Sequence, residues 1–207
     1  AAVVHPPVAI HRFRPAPVRE DVWVVLGALV PYKRVDLVVE AFNRLRRPLV
    51  VIGDGPALPR LRTLAAPNVT FTGAIPDAEV EAWLGRARAL IHAGVEDFGI
   101  ALVEAQAAGA PVIAHAAGGA LEIVRDPRLH PDQPPTGVLF DDQTVEGVVD
   151  AVRRADAISF DPAALRARAS HFTPDRFAAG IRRALAELGV DGNGRRQEDP
   201  EGTSTMT

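Results

Sequence analysis

Short apolar runs alternate with amphipathic stretches along most of this chain. The runs are Val22–Leu26, Leu49–Ile52, Val69–Phe71, Ala89–Ile91, Pro111–Ala114 and Val138–Leu139. They are rich in β-branched residues and mostly lack in/out alternation, which suits strands buried on both faces. Between them lie helical patterns. Leu37, Val38, Ala41, Phe42 and Leu45 recur at three-to-four spacing and form one apolar stripe, with Pro48 as the stop. Val80, Leu84 and Ala87 mark a helix opened by Asp77 after Pro76. Val145, Val148, Val149 and Val152 mark another, with Thr144 placed to cap it. Phe177, Ile181, Leu185 and Leu188 give a last one, started by Thr173 and Pro174. This alternation predicts an α/β fold: a doubly wound, Rossmann-like parallel sheet of about six strands.

The flanks break the pattern. Residues 1–20 hold Pro6, Pro7, Pro15 and Pro17, show no period, and read as a linker. Residues 21–190 read as the folded domain, and residues 191–207 as a disordered polar tail. The chain opens AAVVHPPV without an initiator Met, as expected of a piece of a longer protein.

Composition narrows the chemistry. Of 207 residues, 23 are Lys or Arg and 26 are Asp or Glu, a net charge of −3, which argues against a broad nucleic-acid footprint. With no cysteine, disulfides, thiol nucleophiles and zinc–thiolate sites are excluded. The longest nearly unbroken apolar stretch, residues 22–30, is too short for a membrane span, which needs ~20 residues. A cytoplasmic location is expected, at most peripheral to the inner face of a membrane.

Ligands of doubly wound sheets bind beyond the carboxyl ends of the strands. After the first strand comes PYKRVD, with Lys33 and Arg34 at a helix entry. A lysine beside free helix N–H groups makes a diphosphate site; the same two cations also fit a solvated turn. After the second strand, Gly53 and Gly55 with Pro56 opening the next helix permit close backbone approach or a plain tight turn, and a third glycine of the dinucleotide motif is missing. After the fourth strand, EDFGIALVEAQAAG holds Glu96 in the loop, Gly99 before a helix, and Glu104 one turn inside it. Two carboxylates and helix amides there would converge on sugar hydroxyls and phosphate, or be unrelated surface acids. Gly118 and Gly119 follow the fifth strand and read as backbone approach or a glycine turn. His92 and His115 lie near strand ends, and no histidine has metal-ligand spacing.

In this order, PYKRVD, VIGDGP, NVTFTG, EDFGIALVEAQAAGAPVIA, GGALEIV and TGVLF resemble family 4 (group 1) glycosyltransferases of the GT-B fold. The similar region is their carboxyl-terminal, donor-binding domain, over about residues 5–188, and HPPV with Phe13 resembles the end of the interdomain linker. The subtype resembles bacterial polysaccharide mannosyltransferases. The resemblance implies transfer of a hexose from a nucleoside diphosphate sugar to a hydroxyl with retention, with no cofactor and no metal. It implies that Glu96 contacts the donor sugar near the reacting centre and that the backbone of Phe98, Gly99 and Ile100 lies under sugar and phosphate. It implies Glu104 on the ribose, Lys33 on the diphosphate, and Gly53, Gly55 and Pro56 beside the nucleobase; Gly118 and Gly119 correspond more weakly. Arg34 is a candidate second cation, because Ala28 stands where many members carry arginine.

The acceptor site of such enzymes lies mostly in an amino-terminal domain. That domain is the implied partner, and this chain alone is expected to bind donor without transferring sugar. The last helix, which reaches back to that domain in relatives, is expected to pack less firmly here. Three rivals stand: a nicotinamide-dependent oxidoreductase domain, disfavoured by LGALVP after the first strand; a non-catalytic sugar-nucleotide binder; and a sugar-nucleotide epimerase.

Overall fold

The structure is a computed structural model that describes residues 3–188; the expected tail at 191–207 lies outside the described residues. In chain order the elements are β1 (Trp23–Leu26), α1 (Val35–Leu45), β2 (Leu49–Ile52), α2 (Leu58–Leu64), β3 (Val69–Gly73), α3 (Asp77–Arg86), β4 (Ala89–His92) and α4 (Ile100–Ala107). There follow β5 (Val112–His115), α5 (Gly119–Ile123), β6 (Gly137–Phe140), α6 (Val145–Asp156), α7 (Pro162–Ala169) and α8 (Pro174–Glu187). Short 3-10 turns occupy Ile10–Arg12, Pro31–Lys33 and Ser170–Phe172.

The six strands form one sheet in the order β3-β2-β1-β4-β5-β6, and every pair is parallel. Each apolar run of the sequence lies on a strand or one residue outside it. Pro111 falls just before β5, as expected of a residue with no N–H for the ladder. Residue parity sorts the strands into two cores. Trp23, Val25, Val51 and Ile91 face one layer with Val38 and Phe42 of α1 and Val148 and Val152 of α6. Val24, Leu90, Val112 and Leu139 face the other with Leu102 and Val103 of α4 and Ala169 of α7. Burial on both faces is why these strands read as continuous apolar runs.

The caps are those the sequence supplies. Thr144 Oγ1 accepts from the Gly147 N–H at 3.0 Å, and Thr173 Oγ1 from the Arg176 N–H at 3.4 Å. A cap of this kind stabilises by about 1 kcal/mol. One expectation needs correction, and one helix goes unannounced by the sequence. The helix expected to open at Pro56 begins at Leu58 with Pro59 in its first turn, so Pro56 stays in the preceding turn. And α7 has no counterpart in the apolar pattern, because PAALRARA buries only Leu165 and Ala169.

Residues 3–20 form neither strand nor α-helix, yet Val8 and Phe13 are buried and the Val8 N–H donates to the Phe172 carbonyl at 2.8 Å. At the other end, α8 has no buried residue; Ile181 and Leu185 are 38% and 37% exposed.

Between α5 and β6 a buried carboxylate fixes the chain. Asp126 accepts from the N–H of Leu139 at 2.7 Å and of Arg128 at 2.8 Å, and pairs with the Arg128 guanidinium at 3.2 Å. Burial alone would raise its pKa, but the Leu139 and Arg128 donors outweigh that and hold it below the ordinary aspartate value.

Candidate functional site

The strand order runs outward in both directions from the β1–β4 pair, so the connections leaving their carboxyl ends diverge to opposite faces. A cleft of about 880 Å³ opens there. Its walls come from several elements. The β1–α1 connection gives Gly27, Tyr32 and Lys33; the β4–α4 loop gives Val95 to Gly99; α4 gives Ile100, Ala101 and Glu104; α3 gives Asp77 and Val80. The segment before β1 adds Pro6, Arg12 and Phe13.

Lys33 ends the 3-10 turn that follows β1, and its Nζ stands 2.7 Å from Glu96 Oε1, with both side chains mostly covered. The fit is tight around the lysine. A Cβ on Gly94 would stand 2.7 Å from the Lys33 Cα, so a larger residue there would displace the lysine backbone. His92, at the end of β4, is buried, and its Nε2 has no hydrogen-bond partner among the described residues. Burial lowers its pKa and outweighs the attraction of Glu96, while Lys33 and His115 lower it further; the imidazole is held neutral beside the pair.

Gly99 has φ +95 and precedes α4, so the helix starts directly from a left-handed residue with no side-chain cap. The Leu102 N–H already donates to the Gly99 carbonyl at 3.0 Å, and the Ile100 and Ala101 amides ahead of it remain for a ligand at the cleft wall. Glu104 stands one turn in and is about half buried. Desolvation raises its pKa, and Asp77 and Glu81 raise it further; the charge of Arg12 opposes them. The Glu104 carboxylate accepts no hydrogen bond among the described residues, although the backbone carbonyl takes the Ala108 N–H at 2.9 Å. Arg12 is held by Asp77 Oδ2 at 2.7 Å and Glu81 Oε1 at 2.9 Å, which joins the segment before β1 to the start of α3.

The structure thus brings Lys33, Glu96, Phe98, Gly99, Ile100 and Glu104 into one cavity wall. It does not bring Arg34, Gly53, Gly55, Pro56, Gly118 or Gly119 there. Arg34 has φ +51, pairs with Asp36 at 3.2 Å and lines a second cavity, whereas Lys33 lines the first. The reversal of chain direction at this left-handed residue is the reason that two adjacent cations part. Gly53 packs on the carbonyl of Gly27, where a Cβ would overlap the oxygen; the second glycine loop therefore supports the cleft's floor from behind. Gly118 and Gly119 do the same for the β4–α4 loop. A Cβ on either would overlap a carbonyl oxygen, of Glu96 or of Phe98, and the Gly119 N–H donates to the Glu96 carbonyl at 2.9 Å. The Phe98 ring packs on His5 and Phe172 at 5.8 and 5.4 Å.

Sequence reasoning missed Arg12, Tyr32, Asp77, Val80 and Val95 as cleft residues. Asp77 was within reach of the rule applied to the other strand ends, since it lies just beyond β3. Arg12 carried no such signal, because it precedes the sheet. His115 turns away, with its ring on Phe140 and Nε2 3.2 Å from the Asp141 carbonyl. Among the described residues no three His, Cys, Asp or Glu side chains group as metal ligands, and no helix is long and apolar enough to cross a membrane.

A doubly wound domain with amides, a lysine and two acids around a cleft at its switch point is built like the nucleotide-binding half of a group-transfer enzyme. Residues 9–171 match the family described as Glycosyl transferases group 1, and the chain belongs to that family. The sequence is 40% identical over 147 residues to a GDP-mannose-dependent alpha-(1-6)-phosphatidylinositol monomannoside mannosyltransferase of Mycobacterium tuberculosis, covering 62% of this chain and 36% of that protein. It is 34% identical over 184 residues to the protein of the same name from Mycolicibacterium smegmatis, covering 80% of this chain and 46% of that one. The chain therefore spans less than half the length of these relatives. In three dimensions it resembles the structure of Anabaena Alr3699/HepE in complex with UDP-glucose, with a TM-score of 0.73, 19% identity, and coverage of 90% of this chain and 57% of that one. That likeness fixes the fold as the Rossmann-like half of a GT-B architecture.

Proposed function

We propose that this chain is the donor-binding half of a hexosyltransferase and that GDP-mannose is its donor. The observation that carries the reading is the convergence of Lys33, Glu96, Glu104 and the uncapped start of α4 on one cleft. GDP-mannose is taken from the names of the two mycobacterial relatives.

In this reading the donor diphosphate takes Lys33 Nζ away from Glu96. The freed Glu96 carboxylate then accepts hydrogen bonds from the hexose hydroxyls, and Glu104 accepts them from the ribose. Negative charge develops on the departing diphosphate, and Lys33 with the α4 amides stabilises it without a metal. The two glutamates are not a glycosidase pair, since that chemistry needs an acid and a base flanking one bond. Transfer retains the anomeric configuration. Gly53, Gly55, Gly118 and Gly119 shape the loops that hold these groups, and the partner half supplies the acceptor, so this chain alone transfers nothing.

Ala28 offers no guanidinium to the diphosphate, and the cleft's other cation, Arg12, is held by two carboxylates. That observation favours the second reading, a binder of sugar nucleotides without transfer. Calorimetry of the chain against GDP, GDP-mannose, UDP, UDP-glucose and NAD, with and without magnesium, separates the possibilities. Metal-independent binding of GDP and GDP-mannose, weakened in Glu104→Ala, is the expected result. Binding of NAD alone, or sugar transfer by this chain alone, would contradict the donor-half reading.

A further inference from the structure

The Lys33–Arg34 step divides two cavities. Tyr32 and Lys33 face the donor cleft, whereas Pro31 and Arg34 face a second cavity of about 420 Å³ between the starts of α1 and α2. That volume lies within the range of small-molecule sites. Its floor is apolar, built from Val30, Val35, Pro56 and Leu61. Arg34 and Arg60 stand on its wall. Asp36 takes one edge of Arg34 at 3.2 Å, which leaves a net positive charge of one at this wall, and Arg60 is exposed and makes no ion pair among the described residues.

Two guanidiniums over an apolar floor complement one kind of molecule, a phosphate ester with an apolar group. Guanidinium forks match phosphate oxygens in pairs, and the apolar part removes its surface and that of the floor from water. Neither requirement is met by a sugar or by a cation. Arg34 occupies the left-handed region, φ +51, at a position where glycine would be free of steric cost.

We propose that this second cavity binds an amphiphilic phosphate ester between Arg34 and Arg60, separately from the donor cleft. The site is a ligand site in its own right and does not depend on the donor-half reading. Because Arg34 directly follows Lys33, a ligand here also borders the turn that carries the donor lysine.

The probe is octyl phosphate, titrated by calorimetry into the chain, with octyl glucoside and octyltrimethylammonium as neutral and cationic counterparts of the same tail. One-to-one binding of octyl phosphate alone is expected, undisplaced by GDP. Arg60→Gln weakens it by roughly tenfold. Arg34→Gly weakens it at least as much while leaving the melting temperature unchanged or higher, since glycine relieves the left-handed backbone. The same gain in stability with loss of binding separates loss of a contact from loss of fold. Flotation with vesicles of phosphatidylglycerol, against phosphatidylcholine alone, tells the source. Arg34-dependent flotation assigns the phosphate to a bilayer lipid; absence of flotation with octyl phosphate binding intact assigns it to a soluble ester. No octyl phosphate binding, equal binding of octyl glucoside, indifference to both variants, or displacement by GDP would each overturn the site.

Discussion

Glu104 and Asp126 are two carboxylates of one chain treated in opposite ways. Asp126 is buried and saturated with donors: two backbone N–H groups and the Arg128 guanidinium, with Arg154 Nη1 3.7 Å away. Its pKa falls despite burial. Glu104 is partly buried at the rim of a cleft, has no donor among the described residues, and its pKa rises through desolvation. The fold uses the first acid, and it leaves the second to be satisfied from outside. A carboxylate that costs desolvation and receives no internal hydrogen bond is a mark of a ligand site, whereas burial of a charge by itself is not.

The largest effect expected from breaking this contrast is on Asp126. Asp126→Ala leaves the N–H groups of Leu139 and Arg128 without their acceptor and destabilises the fold by about 2–5 kcal/mol, read from urea unfolding. A loss below about 1 kcal/mol would show that the cluster is solvated and not structural.

Glu104→Gln is expected to leave stability within ~0.5 kcal/mol, because no internal partner is lost. In the proposed role of Glu104, it weakens nucleotide binding by about ten- to a hundredfold, because the charged acceptor offered to the ribose hydroxyls is gone. The two acids also separate in pH. The folded-state pKa of Asp126 lies below its unfolded value, so its stabilisation is present above the ordinary aspartate value of ~3.9 and is lost as pH falls through the depressed one. Glu104 has the opposite sign. Its folded-state pKa lies above the unfolded one, so the stability it contributes is present in acid and is lost as pH rises through the raised value. On the proposed role of Glu104, nucleotide affinity needs its ionised form and so weakens on acidification through that raised value, before the Asp126 cluster gives way. Calorimetry and thermal melts over the same pH series check this order. Loss of the acid-side weakening in Glu104→Gln assigns it to this residue, and its persistence there assigns it elsewhere.

How much of this was legible beforehand follows from where the information sits. The strands were legible because burial on both faces writes a continuous apolar run, as in Leu49–Ile52. Helix α7 was not, because alanines and arginines dominate it and only two positions are buried. Glu96 and Glu104 were legible as a pair because one loop and the turn after it hold both. Arg12, on the same cleft, was hidden, since only folding brings residue 12 to Asp77 and Glu81. The separation of Lys33 from Arg34 was hidden too; it depends on a single left-handed residue that PYKRVD does not announce. The glycine loops fit either ligand approach or a tight turn in the sequence, because close backbone packing makes the same demand for a missing side chain.

The smallest effect is expected at α8. Ile181→Ser changes stability by less than ~0.5 kcal/mol in this chain, since Ile181 is 38% exposed and the helix buries no residue. A cost of about 2 kcal/mol would mean that the helix is packed in solution on a surface the described residues do not provide.

The most direct measurement of the central claim is a crystal structure of the chain with GDP. The account predicts the diphosphate on Lys33 Nζ and the α4 amides, the ribose hydroxyls on Glu104, and the Lys33–Glu96 contact, 2.7 Å in the free protein, opened. GDP seated elsewhere on the sheet, or in the cleft with Lys33 still paired to Glu96 and Glu104 still without a donor, would contradict it.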